Sequence, residues 1–376
     1  GYKQMLEGKA ILTIIAPDDD AFQTYLNKRG FTSISDMPVN EVSKLIGYHV
    51  LYYSYNKEKL VNFRPTGSTE TEEEQNIKAG LYYKHRTRSS DAPTVETTPT
   101  GASVMVYHLE RYLPIFSYRY FQTKGIDAKN NYEAFYPNST WTGDDGFNVS
   151  NASVKEYGII ANNGYIHAVD RVVEPLETIY TELKNKEKYS TFLDLYDSFG
   201  VYVADDELSK SYAKAYGVDT LYQYQHGGLP NIACEWPTSS YLNFTALTAL
   251  SYSIFAPSNT AINSFFDSFW KIGGYSSMQE VDALALNYFL YQFIYGGSML
   301  FPEELGDDEL KNLAGSSLNI NPAALNEKTM CVNGALYGMD EIKEPSTFAS
   351  VIGPLFQYKS ARSFLYALLG RDRKSV

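Results

Sequence analysis

The chain has 376 residues, of which 44% are hydrophobic and 20% are charged, so it can bury the cores of about two domains. Its formal net charge of −12 repels phosphate groups and argues against non-specific binding to DNA or RNA. No apolar run approaches the roughly 20 residues of a transmembrane helix, and the first ten residues lack the apolar core of a signal peptide.

The first predicted element is a buried strand that leads into a helix. Ile11–Ala16 is a short apolar run, and Pro17 ends it. The carboxylates of Asp18–Asp20 can accept the free N–H groups of a helix that starts there, and Ala21–Leu26 carries its packed face. These carboxylates could also attract a cation, but capping accounts for them and no calcium-loop spacing is present. We therefore expect no metal here.

A second helix is predicted from the start signal at residues 35–38. Apolar residues recur at helical spacing from Val42 to Val50, and His49 lies on this apolar stripe. A histidine in such a position is more often a buried hydrogen-bonding residue than a contact residue. We expect that buried role for His49, and the same for His167 between apolar neighbours on a strand.

Two long segments interrupt the pattern. Residues 66–76, TGSTETEEEQN, are acidic and poor in apolar residues, which predicts a mobile solvated loop within an insertion at about 64–145. Residues 102–109 and 112–120 are strand-like, so that insertion is partly folded. Residues 203–245 are rich in tyrosine without a clean period. The chain has 33 tyrosines, and such a composition favours a surface that uses both ring faces and hydroxyls.

The sequence contains an internal repeat, which sets the domain organisation. TIIAPDDDAF at 13–22 is similar to SIFAPSNTA at 253–261, at an offset of 240. NNGYIHAVDRVVEP at 162–175 is similar to VNGALYGMDEIKEP at 332–345, at an offset of 170. The Asn-Gly pair in each predicts a tight turn and a closing hairpin. The unequal offsets indicate two units with one framework and insertions of different length.

The repeat also pairs individual residues of the two units. In the second unit a capping box at residues 277–280 precedes an apolar helix, and this alignment places Gln292 opposite His49. STFLDLY from Ser190 is similar to RSFLYAL from Arg362, each shortly after the proline that ends a hairpin segment. Residues 358–370 are therefore predicted to be a helix that starts a third, incomplete repeat.

The order of these motifs closely resembles the fasciclin-like (FAS1) domain family. The matching segments are Thr13–Phe22, Tyr48-His49-Val50 and Asn163–Asp170, and part of the pattern recurs in the second unit. The resemblance implies an α+β fold with two domains, each a small β-sandwich or wedge with packed helices. We predict domain 1 at 1–177, incomplete at its N-terminus, and domain 2 at 178–376, with insertions at about 64–145 and 203–245.

The family resemblance implies a non-catalytic adhesion or ligand-binding module at the cell surface, with a protein or a glycan as partner. The long loops with abundant tyrosine resemble those of the cell-surface lipoproteins of glycan-foraging Gram-negative bacteria. That resemblance would place a lipid anchor in a region upstream of this chain. Two alternatives stay open: a glycan-binding accessory protein of a polysaccharide-uptake system, and a structural spacer. No nucleic acid, transmembrane segment or cofactor is expected, and the oligomeric state is left open.

Five residues are candidates for ligand contact. In the family a Tyr-His pair is associated with adhesion, which points to Tyr48 and His49, although the buried role competes for His49. Trp141, Trp236 and Trp270 are the residues that would support glycan binding if two of them lined one exposed groove with tyrosines.

Catalysis is not indicated by any motif in the chain. The five histidines fall in no nucleophile or metal-site context, so we expect neither catalytic residues nor a metal. Cys234 and Cys331 are too few for a disulfide framework, and whether they pair is left open.

Overall fold

A computed structural model describes residues 2–62, 84–235, 251–307, 309–318 and 320–369 of the chain. It is a mixture of helices and sheets, as the α+β prediction requires. The acidic segment at 66–76 lies outside the described residues. Cys234 and Cys331 are both free and buried, which answers the question of their pairing.

The first half of the described chain carries most of the strands. These are β1 (Leu12–Pro17), β2 (Val50–Tyr52), β3 (Lys84–Ser90), β4 (Thr94–Thr97), β5 (Ser103–Val106), β6 (Glu110–Ser117), β7 (Phe147–Val149), β8 (Val154–Ala161) and β9 (Gly164–Val169). Its helices are α1 (Tyr2–Leu6), α2 (Asp19–Arg29), α3 (Val39–Tyr48), α4 (Lys57–Val61), α5 (Tyr118–Lys124) and α6 (Ala128–Phe135).

The second half has more helix than strand. Its helices are α7 (Ile179–Lys184), α8 (Ser190–Asp197), α9 (Asp206–Tyr212), α10 (Asn259–Phe265), which continues as a π-helical turn over Phe266–Trp270, α11 (Ala283–Tyr291), α12 (Gly353–Gln357) and α13 (Arg362–Leu369). Its strands are β10 (Gly200–Ala204), β11 (Tyr222–His226), β12 (Tyr252–Pro257), β13 (Ile294–Gly296), β14 (Leu325–Cys331) and β15 (Gly334–Met339).

The strand pairing confirms the internal repeat. β1 pairs antiparallel with β2 and parallel with β9, with Leu12 opposite Gly164. β12 pairs antiparallel with β13 and parallel with β15, with Tyr252 opposite Gly334. Both parallel pairs run in register to the proline at the end of the first strand, Pro17 or Pro257.

The predicted cap of α2 and the two Asn-Gly turns are present, whereas α11 is capped by Asp282 and not by the predicted box at 277–280. The Asp18 carboxylate accepts from the Ala21 N–H at 2.8 Å and caps α2, and Gly30 ends that helix in the left-handed region. At the hairpins, the Asn163 side-chain amide donates to the carbonyls of residues 6 and 10, and the Asn333 amide donates to those of residues 232 and 234. Asn163 thus fastens the segment before β1, and Asn333 fastens the segment that follows β11.

The insertion of the first unit enlarges its sheet. β3, β6 and β7 add to the β2 side, which gives the strand order β7-β6-β3-β2-β1-β9-β8. The second unit keeps four strands, in the order β13-β12-β15-β14. A third sheet, β10-β11-β5-β4, takes two strands from the first unit's insertion and two from the tyrosine-rich segment of the second. Sequence periodicity did not predict this shared sheet.

One hydrophobic core extends from the first unit's insertion into the second unit. Phe121 and Phe135 on α5 and α6 contact the Phe301 ring, with centroids 5.0 and 5.7 Å apart. The Lys124 ammonium forms an ion pair with Glu304 at 2.7 Å beside them. The two units are therefore joined by a packed aromatic interface as well as by the chain.

The predicted boundary at residue 177 lies in a segment that is firmly held. The Glu177 carbonyl accepts from the Val332 N–H at 2.9 Å, and Thr178 is 2% exposed. The domain limits themselves stay a prediction. At the other end of the described chain, α13 buries Leu365, while Phe364, Tyr366 and Leu368 are exposed. The helix thus docks by Leu365, with Leu369 partly buried against the same core. The start of a third repeat also stays a prediction.

Candidate functional site

Tyr48 and His49 lie in the interior. Tyr48 is fully buried, and its hydroxyl donates to the Tyr112 carbonyl at 2.8 Å. His49 is 4% exposed, its Nδ1 lies 2.9 Å from the Leu45 carbonyl oxygen, and its Nε2 accepts from the Val173 N–H at 3.0 Å. Burial holds the pKa of His49 below its usual value. The described geometry fits the predicted internal role of His49, and neither residue offers its side chain to a partner.

His167 has a similar role. Its side chain is buried, its Nδ1 accepts from the Gly158 N–H at 3.1 Å, and its Nε2 lies 2.9 Å from the Tyr55 carbonyl oxygen. It links the hairpin to the segment after β2.

The exposed tryptophan groove is not formed by the residues that the structure describes. Trp141 is 7% exposed and its indole N–H donates to Asp144 at 2.7 Å. Trp270 is fully buried and donates to the Phe356 carbonyl at 3.0 Å. Trp236 lies outside the described residues. Both described rings belong to the large aromatic core. An indole can be buried in this way when its N–H has a hydrogen-bond partner.

The alignment of Gln292 with His49 is wrong by one residue. α3 and α11 begin 244 positions apart, at Val39 and Ala283, and the strands after them keep that offset. Phe293 therefore occupies the register of His49, and Gln292 that of Tyr48. The alignment of the two helices was shifted by one residue because α11 is apolar on nearly every face, so the spacing of its apolar residues does not fix the register.

A cleft of about 530 Å³ lies where the shared sheet meets the junction between the units. We call it the junction cleft. Its lining combines charged and tyrosine side chains, chief among them Lys44, Asp91, His108, Arg111, Glu177, Tyr180, Tyr202, Tyr224 and Glu235. It is the best candidate for a ligand site among the described residues because it joins a cavity of ligand size to fixed polar groups.

Arg111 organises the charged wall of the junction cleft. Its side chain is 3% exposed, and it binds Asp91, Glu177 at 3.0 Å, and the Leu176 carbonyl. Lys44 binds the same two carboxylates, at 2.6 Å to Asp91 and 3.5 Å to Glu177. Burial opposes charge on Asp91, but Arg111 and Lys44 hold the pKa of that carboxyl below its usual value. The ion pairs hold the four side chains together on this wall.

His108 and Glu235 lie on the same wall. The His108 Nδ1 lies 3.5 Å from a Glu235 oxygen, and the Glu235 side chain is 4% exposed. Burial lowers the pKa of His108, but the Glu235 carboxylate outweighs it, so that pKa lies above its usual value.

Three tyrosines form the aromatic wall. The Tyr224 ring lies 4.9 Å from Tyr202 and 5.6 Å from Tyr180 between centroids. The hydroxyls of Tyr180 and Tyr224 donate to the two oxygens of Asp197, at 3.1 and 2.9 Å, and His226 binds that carboxylate at 3.1 Å. The rings are held in place and are only partly buried, so one face of the aromatic wall is available to a ligand.

Sequence reasoning missed the junction cleft. Its main charged residues come from α3, the loops before β4 and β6, β6 itself, Glu177, and Glu235 after β11. The tyrosines of its aromatic wall come from α7, β10 and β11. The high tyrosine content of the second insertion was the one available signal. No spacing in the sequence indicated that the two insertions share a sheet.

Comparison with known protein families finds a match in the first unit. Residues 1–114 match the family model of the fasciclin domain. Over those residues the first unit is similar to the fasciclin domain. The match runs from α1 into β6 and so contains Tyr48 and His49.

Solved structures and curated proteins add less to the fasciclin assignment. Among solved structures, the chain is similar to a FAS1 domain pair from the insect cell adhesion molecule Fasciclin I, with 12% identity, 89% of each chain covered and a TM-score of 0.29. No curated protein matches this chain. The second unit's relation to the fasciclin unit therefore depends on the strand register that the two share.

Membrane-spanning helices and metal clusters are both absent from the described part of the chain. None of the helices described there is long and apolar enough to cross a membrane. In the same ranges, no group of three or more His, Cys, Asp or Glu side chains is placed to hold a metal ion.

Proposed function

We propose that this protein is a non-catalytic adhesion or ligand-binding module of the cell surface, and that it holds its ligand in the junction cleft. The observation that carries this is the pairing of a tyrosine wall with a fixed arginine–carboxylate wall around a cavity of about 530 Å³. Ligand sites typically combine flat apolar surface with a few polar groups that set orientation. The similarity of residues 1–114 to the fasciclin domain, which is known from cell-adhesion proteins, supports the same class of function.

The chemistry of the cleft favours binding over catalysis. Lys44, Asp91, Arg111 and Glu177 are bound to one another, which leaves each of these four committed to an ion pair. Cys234 on its wall is buried, and burial raises the pKa of that thiol well above its usual value, so it is no nucleophile at neutral pH. A nucleophile beside a general base is the arrangement that covalent catalysis requires.

A glycan ligand is the second candidate, and one observation favours it. Tyr180, Tyr202 and Tyr224 present partly exposed ring faces next to charged groups, a combination that suits sugars with apolar faces and hydroxyl edges. The buried positions of Trp141 and Trp270 remove the tryptophan support for this candidate.

We further propose that the protein works outside the cell and is held at the surface by a lipid anchor upstream of this chain. Fasciclin domains are typically extracellular or surface-associated, which supports the first part. Fractionation of the source cells, with protease applied to intact cells, tests both parts. Release of the protein into the medium would contradict the anchor, and protection from protease would contradict the surface location.

The ligand proposal is tested by binding of the full chain to a glycan array and to a panel of purified cell-surface proteins. Tyr202→Ala should weaken the detected interaction about ten-fold, or about 1.4 kcal/mol, because it removes one ring of the aromatic wall. Tyr358→Ala is the matched control, since Tyr358 is exposed and lies outside the cleft. Binding that neither variant changes would refute the cleft, and binding to no member of either set would support the spacer alternative.

A further inference from the structure

The two units differ in how the chain packs after the closing hairpin. In the first unit the chain leaves β9 and packs beneath α3, where Val172 and Val173 are 5% and 0% exposed. The N–H of Val173 donates to His49 Nε2 at 3.0 Å. A histidine at the helix end thus fastens a pair of buried valines into the core.

The second unit has lost this fastening. Phe293 occupies the register of His49, and a phenyl ring has no nitrogen to accept the backbone N–H. Counted from the glycine of each hairpin, Lys343 corresponds to Val173, and Lys343 is exposed. The segment after β15 therefore does not repeat the packing seen in the first unit.

A cavity of about 510 Å³ lies between this segment and the end of α11. Phe293, Leu318, Met339 and Ile342 supply apolar lining, and Gln292 supplies a buried amide. We call this the second-unit cavity. It shares no lining residue with the junction cleft.

Polar groups in the second-unit cavity are placed to bind a peptide backbone. Gln292 Nε2 donates to the Tyr288 carbonyl at 3.1 Å, and Gln292 Oε1 accepts from Asn312 at 3.2 Å. That oxygen has a second lone pair for another N–H. The rim carries Glu341 and Glu344.

We propose that the second-unit cavity binds an extended peptide segment of a partner protein, with two adjacent small apolar residues and a basic residue beside them. The first unit indicates the residue types of the occupant, because Val172 and Val173 are both buried beside His49. The residues that correspond to them by the same count, Ile342 and Lys343, line the cavity without both being buried. Three carboxylates, Asp340, Glu341 and Glu344, outnumber the one cation, Lys343, in the lining, and this excess of negative charge selects the basic neighbour.

The probe is a fluorescein-labelled peptide, Gly-Arg-Val-Val-Gly-amide, titrated with the full chain and followed by fluorescence anisotropy. We expect saturable binding at millimolar or lower concentration. Replacing the two valines by serines should weaken binding at least ten-fold, because both side chains lose their apolar burial. Replacing the arginine by glutamate should also weaken binding. The difference in affinity between the arginine and glutamate peptides should shrink at high salt.

Two chain variants locate the peptide. Ala324→Trp places a large ring at the exposed rim and should weaken binding at least ten-fold, whereas Ala323→Trp, next to it and outside the cavity lining, should leave binding within two-fold. Both positions are exposed, so unchanged melting temperatures are expected and check that folding is intact. Tyr202→Ala in the junction cleft should not alter peptide binding, which separates this proposal from the proposed function.

Three results would overturn the peptide site. One is the absence of saturable binding at millimolar peptide. Another is equal weakening by Ala324→Trp and Ala323→Trp. The third is a crystal structure of the free chain in which residues 342 and 343 themselves fill the cavity.

Discussion

His49→Ala tests the most specific structural role that the sequence predicted. The Val173 N–H can only donate, so His49 Nε2 must be the unprotonated nitrogen, and Nδ1 carries the proton that reaches the Leu45 carbonyl. The neutral ring thus satisfies two buried backbone groups. A protonated ring would place a second N–H against that of Val173.

The substitution leaves both backbone groups unpaired in the interior. Leaving a buried polar group unsatisfied costs about 1–3 kcal/mol, and the Leu45 carbonyl near the helix end can relax more easily than the Val173 N–H. We therefore expect His49→Ala to lower the free energy of unfolding by about 2–4 kcal/mol. Phe293→Leu, at the same register in the second unit, is the matched control and should cost less than about 1.5 kcal/mol.

The assay is urea unfolding at pH 7.5 and at pH 5.5. Because burial lowers the folded-state pKa of His49, its contribution is fully present above the unfolded value of about 6.5 and is lost as the pH falls below it. For the wild type, the titration of His49 lowers the free energy of unfolding by at most about 1.4 kcal/mol between pH 7.5 and pH 5.5. His49→Ala removes it, so the variant should be less sensitive to acid.

Two results would refute the reasoning. A stability loss of equal size at both pH values would show that the ring does not titrate as the geometry requires. Unchanged unfolding combined with loss of binding to a partner would assign His49 to direct adhesion.

Other substitutions test the repeat and the shared core. Gly164→Ala and Gly334→Ala should each cost at least about 2 kcal/mol in urea unfolding, because a Cβ would lie 1.8 and 1.9 Å from a carbonyl oxygen of the neighbouring strand. Gly217→Ala, with φ +71° and nothing within 4 Å of a Cβ, should cost about 1–2 kcal/mol. Phe301→Ala should cost about 3–5 kcal/mol and shift spectroscopic probes in both units together; independent transitions would contradict the continuous core. Burial lowers the pKa of His85 to about 3, so thermal stability should fall as the pH drops from about 6.5 towards 3, and a flat profile would contradict this.

The framework of each unit could be predicted because its signals are local. A proline after an apolar run, an aspartate cap and an Asn-Gly pair each act within a few residues, so Pro17, Asp18 and Gly164 lie where the sequence placed them. The register between Gln292 and His49 could not be predicted, because α11 has no polar face to fix it. The junction cleft could not be predicted either, because Arg111 and Tyr202 line one cleft only when strands from the two units form one sheet.

The aromatic interface at Phe301 limits how these units can be exchanged during evolution. A recombination event that cut the chain at residue 177 would separate Phe301 from Phe121 and Phe135, which now cover it. The released second half would then expose an aromatic patch that favours aggregation. The insertion of one repeat and the body of the other must therefore be inherited as a pair, and the segment that transfers intact is the whole tandem, not the single repeat.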